Sequence, residues 1–88
     1  MRRIKLTGRE ATIVRAIGFS EPVPGAEILE YTHMEAEDVT DTLNGMLSAG
    51  FIESVPFCEQ IDVITMPATT FEVNPAYAHQ IKEAFHRR

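Results

Sequence analysis

The chain has 88 residues, enough for one domain that buries roughly 60% of its unfolded surface, and its 44% hydrophobic and 24% charged content lies in the globular range, which excludes general disorder. No apolar run approaches the ~18 residues of a membrane-spanning helix, and a lone Cys58 excludes an intrachain disulfide. The net charge of −5 is segregated: residues 16–81 hold eleven carboxylates and no Lys or Arg, for −11, while the ends hold Arg2, Arg3, Lys5, Arg9, Arg15, Lys82, Arg87 and Arg88 against Glu10 and Glu83, for +6.

At the start, Met1-Arg2-Arg3-Ile4-Lys5 is followed by polar residues where a secretory signal needs an apolar stretch, so a cytoplasmic protein is expected. Thr7-Gly8-Arg9-Glu10 has the form of a capping box, with Leu6 before it as a staple, and starts a helix over about 8–19 with Ile13, Val14 and Ile17 inward. Ser20-Glu21-Pro22-Val23-Pro24 cannot continue that helix, because each proline disfavours the helical conformation of the residue before it. A second helix is expected over 25–31, with Ile28 and Leu29 inward. Thr32-His33-Met34-Glu35 reads either as another capping box or as a turn with His33 at positive φ, and periodicity does not choose between them.

A third helix is expected over 35–49, its stripe of Ala36, Val39, Leu43, Met46 and Leu47 facing the core and Gly50 stopping it. Its opposite face carries Glu37, Asp38, Asp41, Asn44, Gly45 and Ser48. Strands are expected over 51–55, 61–65 and 69–73, followed by a helix over 75–86 that starts at Asn74-Pro75 and aligns Tyr77, Ile81 and Phe85 four apart.

The spacing Val39-(three)-Leu43-(two)-Met46-(three)-Gly50-Phe51-Ile52, with Thr70-Phe71-Glu72-Val73-Asn74-Pro75 after it, resembles winged-helix domains over nearly all of residues 1–88. The fold class that follows is α+β, a three-helix bundle followed by a β-hairpin wing and a C-terminal helix. The resemblance implies a transcription regulator whose third helix enters the DNA major groove while the wing rests on the backbone.

The residues argue against that mode. The groove-facing positions would be Glu37, Asp38, Asp41, Asn44, Gly45 and Ser48, and the wing over 57–69 offers phosphates no Lys or Arg. Duplex affinity comes mainly from basic side chains that displace counterions. A carboxylate held about 6 Å from a phosphate instead costs on the order of 0.7 kcal/mol even at the dielectric of water. The expectation is a non-catalytic adaptor or regulator that binds a protein partner through the acidic third helix. Negative charge near a helix N-terminus is also stabilising in itself, by roughly 0.3 to 1 kcal/mol per residue.

In the wing, Ile61, Val63 and Thr65 alternate with Asp62, Ile64 and Met66, which leaves both faces of a strand there partly apolar. Self-association as a homodimer is expected through Phe57, Ile64 and Met66 of the wing with Tyr77, Ile81 and Phe85; the competing reading is a monomer with its wing folded back. DNA bound through the basic ends, Arg2, Arg3, Lys5, Arg9, Lys82, Arg87 and Arg88, is the alternative, provided that the first and last helices pack side by side. His33, His79, His86 and Cys58 lack the short spacing of a zinc site, and no nucleophile elbow or phosphate-cradling Gly loop occurs, so no metal, cofactor or catalytic residue is expected.

Overall fold

The computed structural model describes residues 5–86. It is a mixed helical and sheet structure of the α+β type, with helices α1 (Gly8–Ile17), α2 (Gly25–Thr32), α3 (Ala36–Ala49) and α4 (Ala78–His86) and strands β1 (Val23–Pro24), β2 (Ile52–Val55) and β3 (Thr70–Val73). The strands form an antiparallel sheet in the order β1-β3-β2.

Local chemistry accounts for the boundaries. Both arms of the capping box are made at α1: the Glu10 amide donates to Thr7 Oγ1 at 3.2 Å and the Thr7 amide donates to Glu10 Oε1 at 2.9 Å. The helix stops at Ile17, earlier than expected, because Gly18 turns to φ 74° while its amide still donates to the Val14 carbonyl. Between α2 and α3 the chain turns at His33, φ 58°, and Glu35 makes no side-chain cap, so of the two sequence readings the turn is the one adopted. Gly50, at φ 83°, ends α3, and Asn74 locks that corner by donating from Nδ2 to the Gly50 carbonyl at 2.8 Å.

The core is a single cluster. Ile13, Val14 and Ile17 of α1 meet Ile28, Val39, Leu43 and Met46 of the next two helices, Ile52, Phe71 and Val73 of the sheet, and Ile81 and Ala84 of α4. Phe71, fully buried at the centre of the middle strand, contributes about 1.5 to 3 kcal/mol by transfer alone.

Three expectations are corrected. Residues 61–65 are not a strand. Asp62 Oδ1 accepts from the amides of Ile64 (2.9 Å) and Thr65 (2.8 Å), closing a turn, and Met66–Ala68 continues as a 3₁₀ turn around Pro67. The same bonds, that from the Thr65 backbone first, then its hydroxyl, hold the Asp62 carboxyl below its ordinary pKa, since they favour the charged form. Val23–Pro24, expected only as a helix break, pairs with β3 in the register Val23↔Phe71 and Pro24↔Thr70. At the C-terminal end, Asn74 Oδ1 accepts from the Ala76 amide at 3.0 Å in a turn, and the regular helix starts only at Ala78.

The connection between β2 and β3 returns to the body of the protein. Met66 is fully buried against α2, where Gly25 lets the backbones touch: a Cβ on Gly25 would fall on the Met66 carbonyl. Two glycine substitutions should therefore separate in sign. Gly25→Ala is expected to destabilise by about 3 kcal/mol or more through overpacking, whereas Gly45→Ala, where a Cβ meets nothing within 4 Å, should stabilise by about 1 kcal/mol; urea unfolding reads both. Because its folded pKa is depressed, Asp62 supports the turn above the ordinary carboxylate value of 3.8 and that support is lost as pH falls through the lower folded value, so an NMR titration of its carboxyl should show a midpoint below 3.8.

Candidate functional site

The third helix sorts its residues by face. Val39, Thr40, Leu43 and Met46 are buried, while Glu37, Asp41, Gly45 and Ser48 are exposed. Asp38 is half-exposed and lies 3.6 Å from Arg9 of α1. Such an exposed pair contributes little to stability, but it neutralises one carboxylate of the expected acidic surface.

Asn44 does not belong to that surface. Its Nδ2 donates to the Ile61 carbonyl at 2.9 Å and its Oδ1 accepts from the Ile61 amide at 2.8 Å. Both ends of the side-chain amide are thus spent on tying the β2–β3 connection to α3, and Ile61 is driven into the core. A residue expected to bind a partner instead positions a loop, through a contact seventeen residues away that no local pattern announces.

The self-association residues divide in the same way. Met66 and Ile81 are fully buried and carry structure, because the folded-back connection and the inner face of α4 complete the core. Phe57 and Ile64, at 81% and 84% exposure, stand out in solvent, joined by partly exposed Val55 and Val63. Tyr77 is at the margin of exposure, its ring edge-on to Phe51 at 5.9 Å, and Phe85 is half-covered beneath the Arg15 guanidinium, 5.4 Å from the ring centroid.

Beside Phe57 a cleft of about 590 Å³ runs between the last two turns of α3, the outer side of β2 and residues 57–60. Asn44, Leu47 and Ser48 form one wall and Ile52, Glu53 and Ser54 the other. Ser54 Oγ accepts from the Cys58 amide at 2.8 Å, which holds the loop over one end of the strand. Among the described residues, Glu53 and Glu59 are the charged ones of the lining. Sequence reasoning missed this cleft, because it exists only where the connection folds back.

Of the basic residues, Arg2, Arg3, Arg87 and Arg88 lie outside the described residues. Lys5 and Arg9 are exposed, and Lys82 of α4 lies over the Phe19 ring at 5.1 Å. Lys82 on Phe19 and Arg15 on Phe85 link the end of α1 and the residues just after it to α4. Among the described residues no three His, Cys, Asp or Glu side chains are grouped as a metal site would require. No described helix is long and apolar enough to cross a membrane.

Compared with known protein families, curated proteins and solved structures, the chain matches none of them.

The two sides of α3 should respond differently to truncation. Asn44→Ala leaves the Ile61 amide and carbonyl without their partner and is expected to lower stability by about 2 kcal/mol, whereas Asp41→Ala on the exposed face should stay within about 0.5 kcal/mol of wild type in urea unfolding.

Proposed function

We propose that this chain is a non-catalytic binding module of the winged-helix type that acts by protein–protein interaction, as a homodimeric adaptor or regulator. The order of three helices, a strand, a returning strand and a closing helix supports the winged-helix part of the reading, as does the Val39 to Gly50 spacing that seats α3 against the core. The observation that carries the functional part is the exposure of Phe57 and Ile64, 81% and 84%, with Val63 beside them in sequence, on a connection that buries Ile61 and Met66. Large apolar side chains left in solvent on a small domain support the reading of a surface that another protein covers.

Charge supports the same reading. Neither α3 nor the 56–69 connection contains a Lys or Arg, while Glu37 and Asp41 face solvent from α3. These elements therefore repel a phosphate backbone and suit a cationic protein surface.

A second reading, DNA bound by the basic ends, is favoured by one observation: Arg15 over the Phe85 ring and Lys82 over the Phe19 ring link α4 to the end of α1 and the residues just after it. Sedimentation equilibrium with a random duplex of about 30 base pairs at about 50 mM salt separates the two. The adaptor reading expects a dimer that ignores the duplex, and a Phe57→Ser/Ile64→Ser variant that is monomeric with an unchanged circular dichroism spectrum. A chain that joins the duplex, and loses it when Lys82 and the terminal arginines are neutralised, establishes the second reading instead.

A further inference from the structure

We propose that Asn44-Gly45 is a self-modification site: the Asn44 side-chain amide is converted, without an enzyme, to an aspartyl or isoaspartyl carboxylate, and this irreversibly releases the 56–69 connection from α3.

Asparagine occurs twice in the chain, as Asn44-Gly45 and Asn74-Pro75. Only the first is followed by a residue with a backbone N–H, the group that must attack the side chain, since proline has none. Gly45 has no packing reason to be glycine. It is exposed, well inside α3, and a Cβ there would meet nothing within 4 Å, so the helix carries the cost of a glycine without a contact that needs one. A glycine after asparagine leaves the attacking nitrogen unshielded by a Cβ and its backbone able to turn toward the side chain. Asn44, in turn, is the residue that holds the connection, through Nδ2 to the Ile61 carbonyl at 2.9 Å and Oδ1 from the Ile61 amide at 2.8 Å.

The chemistry is a cyclisation followed by hydrolysis. The Gly45 nitrogen attacks Asn44 Cγ; the new C–N bond closes a cyclic imide, the Cγ–Nδ2 bond breaks, and ammonia leaves with the proton from the Gly45 nitrogen. Water then opens the ring. Addition at Cγ gives aspartate, and addition at the backbone carbonyl carbon of Asn44 gives isoaspartate, whose main chain is longer by a methylene. Asn44 is half-buried on the wall of the cleft, where water has access to it.

Both products lose the clamp. A carboxylate has no donor for the Ile61 carbonyl and sets oxygen against oxygen there, and isoaspartate also interrupts the helical repeat. The folded protein holds the reaction back. Helical geometry directs the Gly45 amide to the Asp41 carbonyl, and Asn44 is fixed on Ile61, so ring closure requires the clamp and that turn of α3 to open together. Local opening therefore times the release.

Peptide mapping by mass spectrometry of the full chain, held at neutral pH in buffer and in low urea and sampled over time, tests the proposal. The expected result is amide-to-acid conversion at Asn44 and none at Asn74. It should run about tenfold or more slower than in the urea-unfolded chain, yet at a rate that stays flat in urea below the unfolding transition, as local opening requires. The converted chain, separated on anion exchange by its added negative charge, should keep its helical circular dichroism and exchange the Ile61 amide about tenfold or more faster than the parent. In the urea-unfolded chain, where helix stability plays no part, Gly45→Ala should slow conversion about tenfold or more. The native-chain kinetics need no variant, so a misfolded mutant cannot decide the outcome. A native chain that leaves Asn44 intact while the unfolded chain converts, or a rate that climbs with urea in step with global unfolding, overturns the proposal. So does a converted chain that is unfolded throughout or whose Ile61 amide exchanges as before, and so does an unchanged rate in Gly45→Ala.

Discussion

The side-chain amide of Asn44, bonded at both ends to the backbone of Ile61, fastens the 56–69 connection to the third helix. With that clamp, Ile61 enters the core, the chain makes the Asp62 turn, and Met66 reaches the backbone of Gly25 on α2. The clamp also makes the cleft, since Asn44 forms part of its wall and the chain leading to Ile61 forms its rim. A part-buried two-point amide contact is well suited to this, because it satisfies a backbone donor and acceptor that would otherwise be costly to enclose.

Charge and apolar exposure are divided over the surface of this small protein. Cations at the helical ends lie over aromatic rings, Arg15 on Phe85 and Lys82 on Phe19, where the negative ring face attracts them. Carboxylates remain in water along α3 and around the cleft, and the paired Asp38 is held by Arg9 across α1 and α3. Phe57 and Ile64 are left out of the core although Ile61 and Met66, close by in sequence, are taken in. The connection is thus both a structural plug and an exposed apolar surface, and which of the two a residue serves depends on the turn at Asp62.

The placement of β2 follows from the same packing. A sheet of this size has two edges, and the short β1 occupies the side of β3 nearest α2, so the longer β2 is left outermost. Ile52 and Ser54 are buried while Glu53 and Val55 face out, which anchors the strand.

Local signals in the amino-acid sequence were sufficient for the presence of the helices, β2 and β3, though not for where α1 ends or α4 starts. The capping box at Thr7, the apolar stripe from Val39 to Met46 and the glycine at position 50 each act over a single turn, so their chemistry is complete within a few residues. The absence of basic residues from α3 and the connection was equally legible, being a matter of composition. Tertiary structure alone decided the roles of Asn44, Met66 and Ile81, the pairing of Val23–Pro24 with β3, and the existence of the cleft. The β-branched residues over 61–65 favoured a strand, and the Asp62 carboxylate overrode them by capturing the Ile64 and Thr65 amides. These features depend on contacts between residues distant in the chain, or on side-chain bonds that compete with the backbone ladder, and hydrophobic periodicity carries no record of either.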